Sequence, residues 1–300
     1  MTRRPAPVAL LATLALVFVT LGWGSSFVLL KDMLERVPAV DYLAVRFGIA
    51  GVVLLAVAPR AVTSLSPTLL RRGAALGLVY GVAQVLQTVG LDHTSASVSG
   101  FVTGMYVVIT PLLAALILRS RITALTWTAV LLAAAGLGVL TLDGFAIGYG
   151  EGLTLLSAAL YALHIVGLGA WSTPREALGL STVQLLVIAA VCFAGTAPGG
   201  VVLPSTGQDW AVMIYLALVV GLLGLLAQTW AQAHLSPTRS AIIMTMEPVF
   251  AALFAVLLGG ESLGIRMLLG GALVLTAMLV VEVRPRRGAP DIADVPHLPQ

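Results

Sequence analysis

Glu247 and Pro248 stand side by side in an apolar run from about Thr238 to Leu258. If that run crosses a bilayer as one helix, the carboxyl lies ~15 Å deep. An acid at that depth costs at least ~2.5 kcal/mol unless it faces a polar interior. Proline lacks an N–H, so the carbonyl of Met244, four residues earlier, loses its partner within the helix. Glu247 therefore has three readings: binding a cationic group, carrying a coupling proton, or capping the backbone that Pro248 opens. His164 is the other deep titratable candidate, of a residue type that titrates near neutral pH; the plain alternative is a histidine hydrogen-bonded to a neighbouring helix. No His, Cys or acidic partner lies at metal-ligand spacing from it, so no metal site is expected.

Further polar residues share the apolar segments. Gln84 and Gln87 recur as Gln228 and Gln232 in a later segment, and amides inside spans either join helices or line a polar cavity. Trp23, Ser26, Tyr80, Tyr106 and Trp230 are the candidates for the walls of such a cavity. Arg46 lies about five residues into its segment, shallow enough to snorkel toward the interface with Tyr42 at i−4; anchoring is favoured over binding a carboxylate.

The elements that must hold these residues follow from composition. Hydrophobic residues make up 59% of 300 and charged residues 10%, with mean hydropathy +1.04. A soluble domain carries about 25% charge, so an all-α integral membrane protein is expected. Apolar segments of spanning length occur near 8–30, 39–58, 69–91, 95–118, 122–142, 150–170, 180–197, 208–232, 237–258 and 263–283. That predicts ten transmembrane helices with short connections. Arg3 and Arg4 precede an apolar run with no evident cleavage site, so the first segment is expected to stay as a span. The single cysteine, Cys192, excludes an internal disulfide. Scattered arginines give a net charge of +3 without a nucleic-acid patch; they read as topology signals. With the N-terminus inside, twelve arginines fall on the inner side, only Lys31, Arg36 and Arg266 outside, and Arg46 within a span. This bias predicts both termini in the cytoplasm and the chain in the cell (inner) membrane.

The segments repeat. Thr110-Pro111-Leu112-Leu113-Ala114-Ala115-Leu116 matches Glu247-Pro248-Val249-Phe250-Ala251-Ala252-Leu253 at an offset of 137, and Trp23-Gly24 falls against Tyr161-Ala162 at 138. The expected units are residues 1–142 and 143–284, five helices each, with 285–300 as a disordered cytoplasmic tail. Five is odd, so the second copy is inverted relative to the first. Inverted repeats with interruptions at corresponding points, here Pro111 and Pro248 as expected helix bends, mark secondary transporters.

Leu21-Gly22-Trp23-Gly24-Ser25-Ser26-Phe27, Arg46-Phe47, Thr94-Ser95-Ala96-Ser97, Gly104-Met105-Tyr106-Val107-Val108 and Met246-Glu247-Pro248-Val249-Phe250-Ala251-Ala252, in this order, resemble the drug/metabolite transporter superfamily and its EamA-type members. The resemblance spans about residues 8–283 and implies a ten-helix transporter with a central cavity that exports amino acids or other small metabolites. Val98 stands where the family often has Asn, so no role is carried to it.

The expectation is thus alternating-access export of a small metabolite, with Glu247 and His164 as coupling candidates for a proton. The partners would be a small-molecule substrate and the lipid bilayer, as monomer or homodimer, with no nucleic acid. An uncoupled facilitator is the first alternative and an intramembrane lipid-acting enzyme a remote one. The sequence lacks a metal-binding His-Glu-x-x-His, a nucleophile elbow and a phosphate loop. No cofactor and no catalytic residue are expected.

Overall fold

The computed structural model describes residues 6–117, 124–143, 146–196, 199–235, 237–244 and 246–282. The proposed tail at 285–300 lies outside the described residues, as do Arg3, Arg4, Arg119, Arg121, Arg284, Arg286 and Arg287.

The chain runs through α1 (Ala6–Leu34), α2 (Ala39–Val57), the short α3 (Pro59–Thr63) and α4 (Pro67–Asp92). Next come α5 (Ala96–Thr103), α6 (Tyr106–Ile117) and α7 (Ala124–Thr141). A two-residue ladder, β1 (Leu142–Asp143) against β2 (Ala146–Ile147), leads into α8 (Tyr149–Trp171) and α9 (Ala177–Thr196). The remainder is α10 (Gly207–Tyr215), a π-helical stretch (Leu216–Leu223), α11 (Gly224–Gln232), α12 (Pro237–Ile243), α13 (Met246–Leu257) and α14 (Ile265–Glu282).

Local chemistry sets several starts. Ser66 precedes Pro67, and its side chain accepts from the Leu69 amide at 3.3 Å. Ser95 accepts from the Val98 amide at 3.3 Å. Thr206 accepts from the Asp209 amide at 3.1 Å and donates to the Asp209 carboxylate at 2.8 Å. These side chains satisfy amide groups that a helix start leaves open.

Among the described residues, seven helical spans are long and apolar enough to cross a membrane: Val8–Leu34, Ala39–Val57, Pro67–Asp92, Ala96–Ile117, Tyr149–Trp171, Ala177–Thr196 and Gly207–Gln232. Shorter apolar helices occupy Trp127–Gly136, Met246–Leu257 and Ile265–Ala277, within the other three segments read as spans. The chain is a multi-pass membrane protein. Its outer surface carries Leu10, Leu11, Leu14, Phe18, Val52, Leu131, Leu253, Leu268 and Leu269, all more than 45% exposed. Its interior holds Gln84, Gln184, Gln228, Arg46, His164 and Glu247, all nearly fully buried. Apolar outside and polar at the centre is the arrangement lipid demands.

Two spans are interrupted. The turn at Gly104 and Met105 separates α5 from α6, and Pro111 then sits inside α6. The second interruption, near Met244, separates α12 from α13, and Pro248 falls in the first turn of α13. Both interruptions lie on the N-terminal side of their prolines. The first turn of a helix is also where a missing N–H does least harm.

The tightest packing rests on glycine. A Cβ at Gly24 of α1 would lie 2.4 Å from Phe250 Cβ, and one at Gly100 of α5 would lie 2.5 Å from Ala251 Cβ. The helix carrying Glu247 is thus clasped between two side-chain-free surfaces. Gly73 and Gly77 bring α4 close to α9 as well, with added Cβ atoms 3.0 Å and 2.9 Å from its atoms. Gly24→Ala forces backbone as well as side chain to shift, and the expected loss is about 1–3 kcal/mol, read as a lower Tm in detergent. Gly152→Ala meets nothing within 4 Å and should leave Tm unchanged or slightly raised.

Candidate functional site

A cavity in the middle of the bundle contains about 580 Å³ of empty space, counting the open water at its mouth. Trp23, Ser26, Tyr80, Gln84, Tyr106, His164, Gln228 and Glu247 all line it, and so do Arg46, Gln87, Thr103 and Tyr161. They come from α1, α2, α4, α5, α6, α8, α11 and α13. The last candidate, Trp230, lies elsewhere. It borders a separate depression with Phe18, Leu223 and Leu226, its ring 4.6 Å from that of His234. Two residues along a helix turn a side chain by about 200°, so Trp230 cannot share the face of Gln228.

Glu247 is 3% exposed. Tyr106 reaches it across the bundle, its hydroxyl 2.8 Å from Glu247 Oε2 and 3.0 Å from the Met244 carbonyl oxygen. That carbonyl is the one Pro248 leaves open, and the Glu247 amide also donates to it at 3.0 Å. Thr110, the repeat counterpart of Glu247, does the opposite: it donates back to the Tyr106 carbonyl of its own helix at 2.7 Å.

Arg46 is 4% exposed. The expectation that it snorkels outward is corrected by the packing of α2, which buries every residue from Asp41 to Phe47 and leaves no path to the interface. Its Nε donates to the Leu216 carbonyl at 3.0 Å, at the start of the π-helical stretch. The guanidinium lies 4.9 Å from the Phe47 ring centroid and 5.8 Å from that of Tyr42, favourable positions for a cation. Trp23 Nε1 donates to Val220 in the same π stretch at 3.2 Å.

A directed chain of hydrogen bonds crosses the cavity wall. Gln84 donates to the Tyr161 hydroxyl at 2.6 Å, Tyr161 donates to Gln87 Oε1 at 2.8 Å, and Gln87 donates to Thr103 at 3.0 Å. Tyr80 stands edge-on to Tyr161 at 5.2 Å and to His164 at 4.8 Å. His164 Nε2 is 2.7 Å from Gln184 Oε1 on α9, so this ring presents its face rather than its Nε2 to the cavity. Gln232 donates to the Ile165 carbonyl at 3.4 Å, joining α11 to α8.

The sequence pattern of the EamA-like transporter family matches residues 10–142 and again 148–283. The chain belongs to the EamA-like transporter family. The resemblance to the drug/metabolite transporter superfamily carried by its motifs agrees with that, and the chain is a membrane transporter. An uncharacterized transporter of Archaeoglobus fulgidus is 29% identical over 280 residues, covering 92% of this chain and 87% of that protein. A solved crystal structure of a protein superposes with a TM-score of 0.65 at 19% identity, over 90% of this chain and 95% of that one. At such identity the likeness shows the fold alone.

At the Lys31 end of this EamA-like chain, polar clamps join distant segments. Lys31 Nζ donates to the carbonyls of Leu91, Asp92 and Thr94 at 2.7–3.1 Å, a cation on a helix C-terminus. Arg36 pairs with Asp209 at 2.8 Å and Asp32 at 2.7 Å; these hydrogen bonds, that of Asp32 foremost, hold its guanidinium pKa above the ordinary arginine value. Glu151 accepts from Thr94 at 2.7 Å. Glu261 accepts from the Ala96 amide at 2.8 Å and contacts the Ser97 hydroxyl. Glu151 and Glu261 each tie residues near 95 to the C-terminal half.

Sequence reasoning passes over Thr103 and names Tyr161 only within the repeat, not as a cavity residue. The repeat carried a signal for Tyr161, since it falls opposite Trp23. Tyr161→Phe removes the hydroxyl that serves one buried amide, Gln84, and one half-buried amide, Gln87. The expected destabilisation is about 1–3 kcal/mol, measured as a fall in Tm with the fold retained by circular dichroism.

Proposed function

We propose that this transporter carries small zwitterionic metabolites of the amino-acid class by alternating access. One observation carries the reading: Arg46 and Glu247, both nearly fully buried, border the same cavity, yet among the described residues neither takes part in an ion pair. A buried cation and a buried carboxyl left apart are a poor way to stabilise a fold. They complement a ligand that brings a carboxylate to the guanidinium and an ammonium to the acid, with a side chain against Trp23, Tyr80 and Tyr161.

The alternating-access part is supported by order in the packing. The expected repeat equates α1 with α8, α2 with α9, α4 with the α10–α11 span, α5–α6 with α12–α13, and α7 with α14. Under that exchange, α1 against α13 corresponds to α6 against α8, and α4 against α9 to α2 against the π stretch; α2–α9 and α7–α14 map onto themselves, and all of these contacts occur. Two five-helix halves, ten spans in all, can then rock about the cavity, with the interruptions near Met244 and Gly104 as bending points. Both termini in the cytoplasm and export across the inner membrane follow from the arginine bias and the family resemblance. Glu247 is the proton-coupling candidate. His164, bonded to Gln184, is better placed as a wall than as a carrier.

The reading is tested on purified protein by thermal stabilisation, since a ligand of the folded state raises Tm by mass action. Free amino acids should stabilise it, while matched amines lacking the carboxylate and acids lacking the ammonium should not. Equal stabilisation by all three, or by none, sinks the zwitterion assignment. Arg46→Lys keeps the charge but loses the planar fork, and it should weaken that response by roughly tenfold or more. In proteoliposomes, Glu247→Gln should abolish gradient-driven flux while the protein remains folded. Flux that is unchanged across about pH 5 to 8 would remove the coupling role, and counterflow without any ion gradient would then reveal facilitation.

A further inference from the structure

We infer that Tyr106 is a positioning residue that ties the protonation of Glu247 to the open backbone carbonyl at the break between α12 and α13. The inference deepens the proposed role of Glu247 and rests on the transport reading for its use, but its test needs no substrate.

The number of protons decides which contacts here can be hydrogen bonds. The Tyr106 hydroxyl has one, and two oxygens flank it: Met244 O at 3.0 Å and Glu247 Oε2 at 2.8 Å. A carbonyl cannot donate. With Glu247 ionised, one of the two contacts has no proton in it. With Glu247 protonated, the acid donates to Tyr106 and Tyr106 donates to Met244, so both contacts are hydrogen bonds. The arrangement is complete only in the protonated state. On ionisation the Glu247 proton leaves to cavity water, and the Tyr106 proton turns from Met244 to the carboxylate, the stronger acceptor. No bond other than these O–H bonds is made or broken.

Met244 makes that turn matter. Pro248 has no N–H to give it, so once Tyr106 withdraws, its carbonyl is held, among the described residues, by the Glu247 amide at 3.0 Å. Met244 borders the cavity, so the released carbonyl exchanges a fixed donor on the neighbouring helix for cavity water. Ionisation thus loosens the junction between α12 and α13, the helix clasped against Gly24 and Gly100.

The charged and titratable surroundings are few. Of the elements that meet α13, α1 carries Lys31 and Asp32 near its end and α6 brings Tyr106. On α5 there is none, and on α12 none among the residues whose side chains are described. From across the cavity Arg46, Tyr80, Tyr161 and His164 face the same space.

The test is hydrogen exchange of full-length protein in nanodiscs, followed by mass spectrometry over the segment around Met244 to Ala251 and corrected for intrinsic exchange. Between about pH 5 and pH 8 the wild type should lose protection there by roughly threefold or more. Glu247→Gln, whose amide can still donate to Tyr106, should hold the protected state at both pH values. Tyr106→Phe should abolish the pH dependence. Should that variant fold poorly, a fluorinated tyrosine at position 106 keeps the shape and must shift the midpoint of the transition. Indifference of the wild type to pH, or the same dependence in Tyr106→Phe, overturns the link. A protein that shows the dependence yet transports nothing refutes the transport reading alone; one that transports with exchange indifferent to Tyr106 refutes this link alone.

Discussion

A backbone carbonyl opened inside a bilayer must be satisfied by the protein, because the hydrocarbon region offers no water. Around the centre of this chain side-chain donors meet such carbonyls: at Met244, opened by Pro248, and at Leu216 and Val220 in the π-helical stretch Leu216–Leu223, where the hydrogen-bond ladder departs from the α pattern. The donors that answer them are the side chains that also wall the cavity. Tyr106 takes Met244, Arg46 takes Leu216 and Trp23 takes Val220. Broken helices and polar cavity are therefore one construction. The breaks need the donors, and the donors hold the space between helices open and polar.

That dependence explains which features were legible in sequence. A span is a sum over about twenty residues, so the apolar segments could be read directly. Glycine contacts were partly legible: the spacing of Gly73, Gly77 and Gly81 announces a close helix face, but nothing local identifies α9 as the neighbour. Eight of the nine candidate cavity residues line one space because each is a polar or aromatic side chain in an apolar run, and such residues have few other places to face.

Arg46 and Trp230 were misread for opposite reasons. Arg46 is close enough to its helix end to snorkel if the neighbours allow it, and only tertiary packing shows that they do not. Trp230 is aromatic and two residues from Gln228, but the helix turns it to the other side. Depth along a helix is a one-dimensional property that sequence supplies. Azimuth around it depends on the neighbours, and the π stretch just before α11 shifts that azimuth further. The partner of Tyr106 is set by the same missing dimension, since residues 141 apart in sequence meet across the bundle.

The repeat makes the chemical inequality of the halves informative. Thr110 and Glu247 occupy corresponding places before matching prolines, and both make hydrogen bonds at their helix break. Thr110 turns back to the carbonyl of Tyr106 on its own helix, a bond that survives any motion of that helix as a rigid body. Glu247 bonds across to a side chain from the other half, a bond that relative motion must break or remake. A scaffold needs only the first kind at both sites. Replacing one of them by an acid that reaches across adds no strength that a threonine lacks, since the buried carboxyl is costly to keep. What it adds is sensitivity of the inter-half contact to charge, whether a proton or a cationic group brings it. On the proposed alternating-access reading, the asymmetry sits where two matched halves would distinguish a loaded cavity from an empty one.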